Sequence, residues 1–160
     1  MNNKLQYKLL ILVCCCLGMM QACRSNHIEK FNAVIHKTVA SSVDLSKLEY
    51  IVIIPNEGCG GCITYAEEFY KRNRDREDIH FVFTRIMSRK ILKQKVSINP
   101  ENTYLDEANI FLEAYPVDRN IYPCILRLRE GSVTEIHYQS PQEDGFAMLT
   151  ETNTLSDNGF

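Results

Sequence analysis

The stretch Tyr50-Ile-Val-Ile-Ile-Pro-Asn-Glu-Gly-Cys59-Gly-Gly-Cys62 leaves this chain few folds to choose from. A continuous β-branched run reads as a central strand buried on both faces, Pro55 ends it, and the pattern from Ile63 to Asn73 reads as a helix. Two thiols three residues apart at a helix start can close a disulfide, and the partial positive charge of that helix end stabilises the thiolate of the first. Cys62, Ala66 and Phe69 recur at i, i+4 and i+7, so Cys62 is expected to face the core while Cys59 stays at the exposed helix start. Such an arrangement exchanges electron pairs.

Residues 1–22 are set apart from the fold. Lys4 and Lys8 form a basic start, Leu9 to Met20 an apolar run too short for a membrane span, and Met20-Gln21-Ala22-Cys23 a small-residue cleavage site. This resembles the bacterial lipoprotein signal, with Met20 in place of the usual Leu. The resemblance implies that Cys23 is acylated, palmitate included, and becomes the new N-terminus. Removing residues 1–22 from a chain of 160 leaves 138, enough for one domain. Lys4 and Lys8 leave with the signal, so 18 basic residues fall to 16 against 20 acidic, a net charge of −4. That balance argues against nucleic acid. Of 7 cysteines, Cys14, Cys15 and Cys16 are lost and Cys23 is the anchor, leaving Cys59, Cys62 and Cys124. Export places these where disulfides persist, and three thiols give one pair and one left over.

The periodicity divides the chain into a lipid-anchored tether and helix (residues 23–47), a domain (48–152) and a polar tail (153–160). Ile28, Phe31, Val34 and Ile35 predict a helix over His27 to Ala40 that packs on the domain, its two lysines being too few for a membrane-binding face. A short strand is placed at Val43 to Leu45, another at Ile79 to Thr84, a helix at Ser88 to Lys95, a strand at Tyr104 to Asp106 and a helix at Glu107 to Tyr115. Pro123 to Arg129 and Ser132 to Tyr138 form a hairpin around Glu130-Gly131. Ser140 and Pro141 look like the N-cap and first residue of a last helix, Pro141 to Thr150. The expected class is α/β: a mixed sheet whose first two strands are parallel and whose last two are antiparallel, with helices on both faces.

With Gly58-Cys59-Gly60-Gly61-Cys62 at a strand-to-helix junction and Ile121-Tyr122-Pro123-Cys124 opening a later hairpin, the chain resembles thioredoxin-fold proteins over Leu48 to Leu149. The resemblance implies that Pro123 is cis and faces the dithiol, that Cys59 is the attacking and Cys62 the resolving thiol, and that Tyr122, Gly60 and Gly61 contact substrate. The chain departs from that pattern at two places. Ile53 stands where thioredoxins carry a buried proton-shuttling Asp, and Gly58 where they carry Trp. Glu57 is the carboxylate closest in sequence to the dithiol and could act as the base, although a solvated loop Glu is the ordinary alternative. Gly60-Gly61 brings neither a proline nor a cation, so a moderate reduction potential is expected.

Cys124 is read three ways: a buried hydrophobe, a resolving thiol, or a metal ligand with Cys59, Cys62 and His80. Haem attachment is excluded, because Ile63 occupies the position of the required His. No metal or other cofactor is called for. These observations point to a monomeric, lipid-anchored protein of the bacterial cell envelope, facing the periplasm and acting on thiols or disulfides of exported proteins. The alternatives are a redox-inactive thioredoxin-fold lipoprotein that binds a peptide or partner, or a copper- or zinc-binding one.

Overall fold

The computed structural model describes residues 26–151, so the expected signal, Cys23 and the expected tail from 153 lie outside the described residues. Helix α1 (residues 26–37) opens the structure and a 3-10 turn, Val39–Ser41, closes its end. Phe31, Val34 and Ile35 bury the predicted stripe against the sheet. Asn32 fixes the helix by accepting from the Val133 amide at 2.8 Å. The expected strand at Val43 to Leu45 is replaced by a 3-10 turn, Leu45–Lys47, because Asp44 accepts from the Ser46 amide and caps it.

Strand β1 (Tyr50–Pro55) is the buried centre of a sheet ordered β3-β2-β1-β4-β5-β6. β2 (Ile79–Thr84) and β3 (Thr103–Asp106) run parallel to it on one side, whereas β4 (Cys124–Arg129) and β5 (Ser132–Ser140) form the antiparallel hairpin on the other. Glu130 and Gly131 both adopt positive φ, at 51° and 76°, the geometry of the two-residue turn that matches strand twist. Apart from the one at Val43 to Leu45, the expected strands and the mixed pairing are observed.

Alternation along β1 sends Ile51 and Ile53 to one face and Tyr50, Val52 and Ile54 to the other. The first face packs under α1 and a 3-10 segment, Ile110–Ala114, which replaces the regular helix expected at Glu107 to Tyr115. Buried Asp106 decides that geometry, accepting from the amides of Ile110 and Phe111 at 2.9 and 3.0 Å and so tightening the first turn. The second face packs under α2 (Gly60–Asn73), α3 (Arg89–Val96) and α4 (Ala147–Glu151). Phe69 stacks with Phe146 at 4.6 Å between ring centres, and Tyr70 meets Phe81 and Phe83 edge-on.

The predicted helix from Pro141 is overturned. Ser140 accepts from the Gln142 amide instead of capping a helix, and β6 (Glu143–Asp144) folds back on β5. Glu143 then accepts from the Tyr138 amide at 2.9 Å. At Gly145 an added Cβ would lie 2.8 Å from the Tyr138 carbonyl, so the chain hugs β5 there and only α4 remains helical.

His80 is buried on the α1 face of β2, and burial drives its pKa down to about 4. An unfolded imidazole protonates near 6.5, so between that pH and about 4 the unfolded state binds a proton that the folded state refuses. Stability should therefore fall as pH drops through this window, by on the order of 3 kcal/mol across it. Urea titrations of wild type and His80→Phe between pH 7 and pH 4 should show a steeper decline in the wild type. Parallel curves would remove His80 as the cause.

Candidate functional site

The dithiol stands where β1 gives way to α2, at the end of the sheet where parallel strands deliver their carboxyl termini. Pro55 ends β1, Gly58 turns the chain at φ +149°, and Cys59 becomes the extended N-cap of α2. Cys59 and Cys62 form a disulfide, with Cα atoms 5.4 Å apart. Cys59 is half-buried whereas Cys62 is 9% exposed and sits with Ile63, Ala66 and Phe69 on the inward side of the helix. Cys59 is thus the more accessible residue of the pair and Cys62 the sheltered one, in line with the helical register. Gly60 and Gly61 are exposed, and no atom lies within 4 Å of where their Cβ would be.

The loop before β4 closes the site from the other side. The Cys59 amide donates to the Ile121 carbonyl at 3.0 Å, and a Cβ on Gly58 would fall 2.4 Å from that same oxygen. Backbone contact this close admits only glycine at 58. Gly58 and Ile121 are therefore positioning residues, a role the sequence did not reveal: Gly58 stood out only as a departure from Trp, and Ile121 only as part of the segment that opens the hairpin.

Pro123 is buried beside this loop, but its peptide bond is trans, since there is no cis bond among the described residues. The cis expectation is corrected. Local sequence lowers the trans preference before proline to only about 0.5–1 kcal/mol, so tertiary contacts choose the isomer. Here Pro123 accepts from the Gln139 amide at 2.9 Å and the Tyr122 amide donates to Arg119 at 3.1 Å. The Tyr122 N–H is consequently engaged within the chain rather than presented to a substrate strand.

Ile53, where the resemblance would put a proton-shuttling Asp, is fully buried and pairs with Val82 and Cys124 across the sheet. Glu57 is exposed and lies 3.3 Å from the Arg85 guanidinium, on a cleft of about 470 Å³ also lined by Ile86, Met87 and Asn120. Arg85 and Asn109 both adopt left-handed backbone, at φ 54° and 57°, and the Arg85 amide donates to the Asn109 side chain at 2.7 Å. Neither residue was singled out from sequence.

Cys124 is a free, fully buried thiol. Burial pushes its pKa well up, and the neighbouring Tyr115 and Tyr138 hydroxyls are held protonated by the same desolvation. A protonated thiol without solvent access neither attacks nor resolves a disulfide. His80 pairs with Ile51 near the opposite end of β1 from the dithiol, so Cys59, Cys62, Cys124 and His80 are not assembled into one ligand set. Among the described residues no three of His, Cys, Asp and Glu are grouped to hold a metal.

No family model matches the chain, and no curated protein matches it. Among solved structures it is similar to the solution structure of a "putative thioredoxin" from Neisseria meningitidis, at 16% identity over 72% of this chain and 79% of that one, with a TM-score of 0.47. The fold rests on its own topology: a parallel crossover through the dithiol helix, then an antiparallel hairpin on the other side of β1. That fold is thioredoxin-like. The close cysteine pair at the head of α2 suggests a redox role for it.

Proposed function

We propose that the protein is a lipid-anchored thiol-disulfide oxidoreductase of the bacterial cell envelope that acts on exported proteins. The carrying observation is the asymmetry of the pair: Cys59 half-exposed at a helix N-terminus, Cys62 sheltered one turn along and already bonded to it. In the reduced protein the Cys59 thiolate attacks a substrate disulfide, forming a Cys59–substrate S–S bond while the substrate S–S bond breaks and one substrate thiolate leaves. Cys62, deprotonated, then attacks the Cys59 sulfur and expels the second substrate thiolate. Two electrons and two protons pass to the substrate, and the Cys59–Cys62 disulfide remains. Run backwards, the same steps oxidise a substrate dithiol.

A redox-silent binding scaffold is the second reading. It is favoured by the absence of a proton-accepting side chain at Ile53 and by the trans Pro123 loop, whose Tyr122 amide is already bonded. Reduction of insulin by the reduced domain separates the two. Catalysed precipitation of the B chain supports exchange, whereas a rate equal to free dithiothreitol alone selects the scaffold. The anchor is checked in the same preparation: palmitate incorporated during growth should appear in the wild type and disappear in Cys23→Ser.

A further inference from the structure

The loop before β4 has spent its backbone groups within the fold. Its Ile121 carbonyl holds the Cys59 amide, its Tyr122 amide is bonded to the Arg119 carbonyl, and its Pro123 carbonyl accepts from the Gln139 amide. What the loop still offers is the Asn120 side chain, which is half-buried and makes no hydrogen bond among the described residues. Asn120 directly precedes Ile121, so this carboxamide stands beside the contact that holds the dithiol.

Asn120 lines the cleft of about 470 Å³ that also contains Glu57 and Arg85. The walls of that cleft are tied together. The Asn56 amide donates to the Thr84 carbonyl at 2.8 Å, the Met87 amide to the Asn56 side chain at 3.4 Å, and the Arg85 amide to the Asn109 side chain at 2.7 Å. The Thr84 hydroxyl in turn donates to buried Asp106 at 3.0 Å. Arg85 and Asn109 are held in left-handed backbone, a strained state that persists where surrounding contacts enforce it and that clusters at ligand sites. A cleft fixed before its ligand arrives loses little freedom on binding.

Charge does not choose the occupant. Glu57 and Arg85 offset each other within the cleft, and around it Arg89 pairs with Glu107 and Arg119 with Asp118. What remains is an apolar lining from Ile86, Met87 and Leu112 and a carboxamide without a partner. A carboxamide both donates and accepts, so it matches the C=O and N–H of a peptide unit. Glu57 lies two residues before Cys59, so the cleft begins within about 7 Å of the dithiol, the length of two residues of extended chain.

We propose that this cleft is the subsite for the polypeptide segment next to the substrate cysteine, with the Asn120 carboxamide bonding one peptide unit of that segment and the apolar lining taking an uncharged side chain. The substrate class is an extended, uncharged stretch of protein around a cysteine. A small disulfide brings no peptide unit to Asn120. The inference rests on the exchange reaction proposed above for its chemistry, whereas the cleft and the ligand it fits stand without that reaction.

The test compares two disulfides offered to the reduced full-length protein: the disulfide-linked dimer of an end-blocked, uncharged pentapeptide with a central cysteine, and hydroxyethyl disulfide. Loss of the reduced form is followed by alkylation and mass spectrometry. Asn120→Ala should slow the reaction with the peptide dimer about tenfold, as expected for a lost pair of neutral hydrogen bonds, and leave that with hydroxyethyl disulfide within a factor of about two. Equal slowing with both disulfides, or no change with the peptide dimer, would overturn the subsite. A wild type that reduces neither disulfide faster than free dithiothreitol refutes the exchange reaction alone. In that case the same pentapeptide with serine in place of cysteine is titrated into the oxidised protein, and the side-chain amide signals missing from the NMR spectrum of Asn120→Ala should shift in the wild type. Signals that stay in place would show that the cleft does not take polypeptide, and the inference would fall too.

Discussion

Cys59→Ser is expected to reduce insulin reduction to the uncatalysed rate, and Cys62→Ser to stall the reaction half-way. The two thiols differ in access rather than in kind: Cys59 is half-buried at the N-terminus of α2, and Cys62 is 9% exposed beneath it. Without Cys59 no thiol reaches a protein disulfide, because Cys62 is sheltered and Cys124 is fully buried with its thiol kept protonated. Without Cys62 the Cys59–substrate bond forms and is not resolved, so covalent complexes should accumulate on non-reducing gels and vanish with dithiothreitol. Cys124→Ser should leave the insulin rate within a factor of about two, since buried inert thiols serve packing. Brief iodoacetamide treatment of the reduced wild type should label Cys59 first. Preferential labelling of Cys62, or loss of activity in Cys124→Ser, would reassign the nucleophile.

Periodicity carried most of the architecture. Ile79 to Thr84 was legible to the residue, because an apolar run flanked by polar residues has no good helical alternative once β1 needs a parallel neighbour. The inward side of α2 was legible for the same reason, its Cys62, Ala66 and Phe69 stripe lying where the register demanded. The stripe of α1 likewise went into the core, where Phe31 is fully buried.

Elements decided by long-range contacts were not legible. The dipeptide Ser140-Pro141 is a good helix start by local rules, yet the Glu143 carboxylate finds the Tyr138 amide and Gly145 lets the backbone lie on β5, so the segment pairs as a strand first. Asp106 similarly tightened a predicted helix into a 3-10 segment by accepting two amides at once. The isomer of Pro123 depended on Gln139 and on the loop around Arg119, neither of which its neighbours in sequence announce. At the site, the two cysteines were evident from spacing, but the carbonyl that holds them came from Ile121, more than fifty residues away.

That carbonyl leaves no room for a side chain at Gly58. Its φ of +149° lies in a region that side chains other than glycine rarely adopt, a strain of about 1–3 kcal/mol for alanine. The added methyl would also sit 2.4 Å from the Ile121 oxygen and 2.9 Å from its Cα, both backbone atoms that a rotamer change cannot move. Relief requires the loop before β4 to retreat, which breaks the Cys59 N–H to Ile121 bond at the same time. Strain and lost contact together should cost Gly58→Ala about 3 kcal/mol or more, a fall in Tm of roughly 10 °C for a domain of this size. Gly61→Ala is the matched control. It lies in the first turn of α2 with open space around it, where alanine gains up to about 1 kcal/mol in helix propensity. Thermal unfolding of both variants in the oxidised state should therefore give shifts of opposite sign. Equal shifts would mean that the approach of Ile121 to Gly58 does not hold the dithiol loop.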